Sequence, residues 1–218
     1  MGFKSATRKI KRFWGMADFR NSTILGLIFF VISVALNYKA NVYVATKAGS
    51  GVGDVLLDIL PVVNTEFFLI EGALVFILGV MYLMFRRPQR VPFILKSVAL
   101  FVTIRAGFLV LTHFGPYPET LPVDLSGVLL WFSSGLDRFF SAHTGMPFFF
   151  ALMFWSNFPL RIMFLLSSVI GAVSVLLAHV HYSIDVASAY FITYAIFHMA
   201  IEFFEKDFKV FEKGLQHS

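Results

Sequence analysis

The stretch from residue 145 to residue 179 reads GMPFFFALMFWSNFPLRIMFLLSSVIGAVSVLLAH and carries a single charged side chain, Arg161. Two apolar runs, 145–158 and 161–179, flank the segment Asn157-Phe158-Pro159-Leu160-Arg161, whose composition favours a tight turn. Apolar runs of this kind are candidates for membrane helices, although the first is short. The stretch therefore predicts a hairpin of two antiparallel helices in a membrane.

The rest of the chain has the same apolar character. Hydrophobic residues make up 58% of the 218 positions and charged residues 14%, against about 25% charged in a soluble chain. This composition argues against a soluble globular fold. The predicted fold is all-α, a polytopic membrane protein with six transmembrane helices, and the further spans are 23–44, 66–85, 93–112 and 184–204.

The basic residues predict how the chain is oriented. With the N-terminus placed in the cytoplasm, 14 of the 18 Lys and Arg residues fall on the cytoplasmic side, which agrees with the positive-inside rule. Both termini are then cytoplasmic. We predict a basic N-terminal segment (1–22), a six-helix membrane domain (23–205) and a cytoplasmic tail (206–218). Because the net charge of +5 is explained by topology, no nucleic-acid partner is expected.

Two histidines are predicted to meet on the opposite side of the membrane. His143 precedes the hairpin and His181 follows it, so the chain returns to the same surface between them. The absence of cysteine excludes a cysteine nucleophile and a thiolate zinc site.

His181 and Asp185 are four residues apart, so they share a face if both are helical. The carboxylate can then fix the tautomer of the imidazole and leave its other ring nitrogen free to act as a nucleophile. A carboxylate at the end of a membrane helix is costly unless it is paired or functional. The alternative is a His–Asp pair that only caps the helix.

Arg105 lies inside the third span, about 10 Å below its outer end. A guanidinium at that depth must snorkel, face the protein interior or bind an anion, and a lipid phosphate is the natural anion there. The alternative is an ion pair with Glu71 of the second span, and Glu71 could also orient Arg105 for phosphate binding.

Asp54 and Asp58 could bind a cation or stabilise their loop, and the loop or capping role is favoured because two carboxylates make an incomplete metal site. His179, two residues before His181, is expected to be solvated at the membrane interface.

The ordered histidine motifs resemble those of the lipid phosphate phosphatase (type 2 phosphatidic acid phosphatase) superfamily, and within it the sphingomyelin synthase-like branch. The segment 141–144, Ser-Ala-His-Thr, resembles the Ser-Gly-His-Thr of that branch, and 181–186, His-Tyr-Ser-Ile-Asp-Val, resembles its second histidine motif. Asp137 lies where the branch has an aspartate before the serine. The Lys-x6-Arg-Pro pattern of ordinary phosphatases is absent, because Val80 stands at the lysine position before Arg87-Pro88, and this favours the synthase-like branch.

The resemblance implies an enzyme without a metal or another cofactor. It makes His181 the nucleophile, His143 the general acid and base, and Asp185 the residue that orients His181. Arg105 and Ser141 would bind the substrate phosphate. The supporting residues would be Asp137, Glu71, Asp54, Asp58 and Tyr182.

The expected function is a lipid phosphotransferase that moves a phospho-headgroup from a glycerophospholipid donor to a lipid alcohol acceptor, ceramide or diacylglycerol. A lipid phosphate phosphatase or phospholipase C-like hydrolase would use the same residues, with water as acceptor. A small transporter or channel subunit is an alternative of another class, although its polar groups would lie near the bilayer midplane. The expected location is a bacterial inner membrane or a secretory-pathway membrane with the active site on the periplasmic or exoplasmic side, and a homo-oligomer stays open.

Overall fold

The computed structural model describes residues 10–47, 49–120 and 139–213, and the regular secondary structure within them is entirely helical. A short 3₁₀ turn at Pro88–Arg90 precedes the third of the main helices. The main helices are α1 (Ala17–Lys47), α2 (Glu66–Arg86), α3 (Val91–Leu111), α4 (Ala142–Met153), α5 (Phe158–Leu177), α6 (Ser183–Phe203) and α7 (Glu205–Lys213).

Five helical segments within these described ranges are long and apolar enough to cross a membrane: Ala17–Lys47, Glu66–Arg86, Pro88–Leu111, Phe158–Leu177 and Ser183–Phe203. They are compatible with an integral multi-pass membrane protein. The predicted span 145–158 corresponds to α4, which has only 12 residues and extends about 18 Å, short of the hydrocarbon thickness of about 30 Å. Six crossings and the orientation of the termini therefore stay predictions.

A turn joins α4 to α5 as predicted, but it lies at 154–157, and residues 158–161 of the predicted turn form the start of α5. The side-chain oxygen of Asn157 accepts a hydrogen bond from the backbone N–H of Leu160 at 3.2 Å and so caps the start of α5. Pro159 lies in the first turn of α5, where its missing N–H costs no helical hydrogen bond. The guanidinium of Arg161 lies 4.9 Å from the Trp155 ring and 5.2 Å from the Phe158 ring. These local contacts fold α5 back against α4.

Phenylalanine side chains build the interior of the bundle. They interdigitate edge to face, as Phe76 does with Phe150 at 5.4 Å between ring centroids, a geometry that suits the ring quadrupole. Other phenylalanines, such as Phe67 and Phe191, are 67% and 79% exposed on the outside of the bundle. The fully buried members are Phe93, Phe101, Phe140, Phe149, Phe150, Phe154, Phe164 and Phe211.

Helical structure continues past both ends of the predicted membrane domain. Helix α1 begins at Ala17, six residues before the predicted start at residue 23. Residues 206–213 of the predicted tail belong to α7, whose Phe211 is buried against Phe93. Lys96 is buried and its ammonium lies 2.6 Å from the Asp207 carboxylate, so α7 is held against α3 by an ion pair.

Candidate active site

The His181–Asp185 pair lies at the start of α6, with Asp185 in the first turn and His181 just before the capping residue Tyr182. The carboxylate Oδ2 of Asp185 accepts a hydrogen bond from the backbone N–H of Tyr182 at 3.0 Å and lies 3.4 Å from Nδ1 of His181. An aspartate three residues into a helix is well placed to bind an N–H group that the helix leaves without a partner. Asp185 therefore caps α6 and also contacts His181, so both interpretations of the spacing describe the same residue.

The contact with Asp185 determines which ring nitrogen of His181 faces the carboxylate. Because Nδ1 points at Oδ2, Nε2 is the nitrogen left to meet a substrate. His181 is 6% exposed and Asp185 is fully buried. The separation of 3.4 Å is long for a hydrogen bond. This arrangement can present an imidazole nitrogen as a nucleophile in a site that excludes most water.

The start of α4 joins the same site through Ser141. Its backbone N–H donates to the backbone carbonyl of Asp185 at 3.3 Å, and its own carbonyl accepts from the N–H of Gly145 at 2.9 Å. The side-chain Oγ of Ser141 is buried and has no hydrogen-bond partner among the described residues. Ser141 and the His181–Asp185 pair therefore belong to one polar cluster, although about forty residues separate them in the chain.

His143 is held by close packing of α5 on the backbone of α4. Pro147 has no N–H to give to the carbonyl of His143 four residues earlier. Gly171 of α5 lies directly against that carbonyl, so close that a Cβ at residue 171 would overlap it. One turn earlier on α5, the Ser168 hydroxyl donates to the Thr144 carbonyl at 2.7 Å. Small residues on α5 thus fix the main chain that carries His143.

Arg105 lies on α3 beside the start of α4. Its side chain is 3% exposed, with Nε donating to the Phe140 carbonyl at 3.0 Å and Nη1 donating to Oδ1 of Asn37 at 3.3 Å. Phe140 immediately precedes Ser141, so the guanidinium is next to the polar cluster. Glu71 is exposed on α2, and no ion pair between it and Arg105 is found among the described residues.

Asp54 provides a second carboxylate at the start of α6. Its Oδ2 accepts from the backbone N–H of Ser183 at 2.7 Å, and its Oδ1 accepts from the N–H groups of Leu56 and Leu57. Burial raises the pKa of this carboxyl, but the N–H donors outweigh burial and hold the pKa below its usual value. This geometry fits the capping interpretation. No group of three or more metal-ligating side chains occurs within the described ranges.

Hydrogen bonds from two tyrosines connect the loops around the site. The Tyr182 hydroxyl donates to the Gly115 carbonyl at 2.9 Å and accepts from the Val52 N–H at 3.2 Å. The Tyr117 hydroxyl donates to the Asp58 carboxylate at 2.7 Å, and this bond raises the pKa of Tyr117 to about 12. Tyr182 and Asp58 therefore hold loops in place and are not directed at an anion.

The expectation for His179 is wrong. The side chain is 1% exposed, and neither ring nitrogen has a hydrogen-bond partner among the described residues. Its backbone φ of 54° lies in the left-handed region, which reverses the chain at the end of α5 and turns the side chain inward. There it packs edge-on against Tyr117, with ring centroids 5.1 Å apart.

Sequence reasoning missed the partners of Arg105 and the role of Gly171. Asn37 could have been noticed, because it and Asn41 are amides four residues apart inside an apolar span. No sequence signal marks the Phe140 carbonyl or the contact of Gly171. Asp137, expected as a supporting residue, lies outside the described residues, so its position stays a prediction.

Comparison with known families bears on the same region. The family model for the PAP2 superfamily C-terminal domain matches residues 136–202, a segment that contains Ser141, His143, His181 and Asp185. No curated protein and no solved structure shows a significant match to the chain. The match covers less than half of the chain and does not distinguish a sphingomyelin synthase-like branch. It supports the resemblance of the chain to the PAP2, or lipid phosphate phosphatase, superfamily.

Proposed function

We propose that this protein is a lipid phosphotransferase that moves a phospho-headgroup from a glycerophospholipid to a lipid alcohol through a phosphohistidine intermediate. The observation that carries the proposal is the buried His181–Asp185 pair, which is hydrogen-bonded through the Asp185 backbone to Ser141. Ser141 precedes His143 by two residues and follows the carbonyl that Arg105 binds. A nucleophile, a general acid and a cation for phosphate are thus carried by connected segments.

In the first half of the proposed reaction, Nε2 of His181 attacks phosphorus. A P–N bond forms while the P–O bond to the glycerolipid breaks, and the departing oxygen takes a proton from His143. Asp185 stabilises the positive charge that develops on the His181 ring. Arg105 lies where its charge can offset the negative charge on the phosphoryl oxygens.

In the second half, His143 is neutral and takes the proton of an incoming hydroxyl group. The hydroxyl oxygen forms a new P–O bond as the P–N bond breaks, which returns His181 to its neutral state. The two histidines must begin the cycle in opposite protonation states, so kcat/KM should have a bell-shaped dependence on pH. The reaction needs no metal ion in this scheme.

Hydrolysis by the same residues is the second candidate, and the match to a superfamily of phosphatases favours it. The acceptor is chosen by access of water to the phosphorylated His181. The 6% exposure of His181 and the complete burial of Asp185 favour a lipid acceptor over water, because transfer requires that the intermediate outlive its encounter with solvent.

The decisive assay uses purified protein in lipid nanodiscs with headgroup-labelled phospholipid, with and without ceramide or diacylglycerol. We expect a labelled new lipid that forms only when the acceptor is present. Release of the labelled headgroup into water, with no new lipid, would refute the transferase and support the hydrolase. Absence of both products would refute the two functions together.

Variants of the histidines test the roles within the reaction. His181→Ala and His143→Ala should each lower turnover by at least about 10³-fold. Covalently bound label should be trapped in His143→Ala and absent in His181→Ala. His198→Ala is a matched control, because His198 is an exposed histidine on α6 outside the cluster and should retain full activity. Trapping on His181→Ala would contradict the assignment of the nucleophile.

A further inference from the structure

The face of α1 that packs against α3 carries buried polar side chains. Ser33, Asn37 and Asn41 are 0%, 2% and 1% exposed, and they recur every four residues along one side of the helix. The Ser33 hydroxyl donates to the Phe30 carbonyl of its own helix at 2.8 Å, and Asn37 accepts from Arg105. Ser33 and Asn37 therefore have structural partners.

Asn41 differs from both. Neither Nδ2 nor Oδ1 of its carboxamide has a hydrogen-bond partner among the described residues, although both atoms are buried. An amide shielded from water and unpaired destabilises the folded protein, and nearly all such groups in proteins are paired. Its own helix does not supply the missing bonds either, because no backbone group of α1 is hydrogen-bonded to the Asn41 carboxamide, unlike the Phe30 carbonyl that pairs with Ser33. A carboxamide left in this state is expected to meet a ligand.

The position of Asn41 places that ligand beside the proposed active site. It lies one helical turn, about 6 Å, beyond Asn37 toward the end of α1, and Asn37 contacts Arg105. Just past that end, the N–H of Gly49 donates to the His113 carbonyl at 3.0 Å. Asn41 is therefore at a depth between the guanidinium and the loops that cover the site.

The chemistry of a carboxamide restricts what can bind. It offers N–H donors and a carbonyl acceptor together, whereas an ionised phosphate oxygen and an ester carbonyl only accept. A group that both donates and accepts, such as an amide or a hydroxyl, can pair with both ends of Asn41. Ceramide offers an amide and a second hydroxyl besides its reacting hydroxyl, and diacylglycerol offers only ester carbonyls.

We propose that Asn41 is a specificity-determining residue that binds the amide or second hydroxyl of a ceramide-type acceptor and so favours it over diacylglycerol. The proposal rests on the proposed lipid phosphotransferase function. A site that pairs with a donor group discriminates strongly against a ligand without one, since its own polar atoms are then left unpaired.

Binding without turnover provides the first test. Purified wild-type protein should show a larger rise in the unfolding midpoint Tm with short-chain ceramide than with diacylglycerol of matched chain length. In Asn41→Leu the extra rise with ceramide should disappear, and the Tm of the lipid-free protein should be unchanged or higher because an unpaired amide has been removed. Asn41→Ser serves as the second variant and should also lose the preference for ceramide.

Kinetics provide the second test. Asn41→Leu should raise KM for ceramide about tenfold, equivalent to about 1.4 kcal/mol, with KM for diacylglycerol within twofold of wild type. The matched control is Thr193→Val, which also removes a buried hydroxyl that has no partner among the described residues but lies on α6. It should leave the ratio of the two KM values unchanged.

Each alternative outcome is distinguishable. A lower lipid-free Tm in both Asn41 variants means that the amide is structural and overturns the proposal. Equal losses for the two lipids, no loss for ceramide, or no preference in the wild type overturn it as well. If the wild type binds ceramide selectively through Asn41 but forms no labelled lipid, the proposed function fails and the assignment of Asn41 stands.

Discussion

Gly171 of α5 lies against the main chain of His143, and alanine at this position would test whether that contact sets the geometry of the proposed general acid. A Cβ on residue 171 would lie 2.9 Å from the His143 carbonyl carbon and closer still to its oxygen. Ordinary contacts begin at 3.4 Å, so the two backbones must separate by at least about 0.5 Å.

The expected effect on activity follows from this displacement. Catalytic groups must be held within about 0.5 Å of their productive positions, and a misplacement of about 1 Å costs about 100-fold in rate. We expect Gly171→Ala to lower kcat/KM by about 10-fold to 100-fold. The free energy of unfolding should fall by up to about 2 kcal/mol, because alanine gains about 1 kcal/mol in helix propensity and loses about 1–3 kcal/mol to overpacking.

Headgroup transfer kinetics and thermal unfolding would be measured on the same preparations. Gly79→Ala is the matched control, because Gly79 is also helical and nothing lies within 4 Å of the position of its added Cβ. The control should be slightly more stable than wild type with unchanged kcat/KM. Wild-type kcat/KM in Gly171→Ala, together with a raised Tm, would show that this contact does not position His143.

Three further predictions concern the charged groups outside the proposed chemistry. The pKa of Asp54 lies below its ordinary value of 3.8. The ionised carboxylate therefore stabilises the fold above pH 3.8, and this stabilisation is lost as the pH falls through the lowered pKa of the folded protein. The Tm of wild type should fall more steeply below about pH 4 than the Tm of Asp54→Asn. Lys96→Met should destabilise the protein by about 3 kcal/mol in denaturant unfolding, because the Asp207 carboxylate then loses its cation and keeps only the hydrogen bond from Ser22. The additional change Asp207→Leu should restore most of the loss. The bond to Asp58 raises the pKa of Tyr117 from 10.0 to about 12, so it stabilises the fold below pH 10 and this contribution is lost between pH 10 and 12. In an ultraviolet titration, Asp58→Ala should show the pKa of one tyrosine returning toward 10. An unchanged titration would contradict the bond.

The parts of the site that sequence could predict are those governed by local geometry. The spacing of four residues predicts a contact between His181 and Asp185, and the structure confirms that contact. His181 precedes the helix, however, and it is the cap formed by Asp185 on the Tyr182 N–H that brings the two side chains together. An arginine in an apolar span is conspicuous because burial of its charge needs a reason. The hairpin between α4 and α5 could also be predicted, since Asn157 and Pro159 favour the start of α5 through contacts within one helical turn.

The parts that sequence could not predict depend on contacts between distant segments. Arg105 binds Asn37 across 68 residues and the Phe140 carbonyl across 35, and no local pattern specifies either contact. The length of α4 was overestimated because hydropathy does not reveal where a helix ends within an apolar run. His179 was expected in solvent because a helical spacing from His181 was assumed, whereas the backbone between them is left-handed at His179.

The short α4 also affects how a lipid would reach the proposed site. His143 contacts α5 at Gly171, six residues before its end at Leu177, or about 9 Å along the helix axis. Under the proposed function, a lipid phosphate that reacts at this level would stay within its own leaflet and reach the site by lateral diffusion between helices. Encounter would then occur in two dimensions, and the substrate concentration that governs the rate would be a mole fraction of the bilayer instead of a molarity in solution.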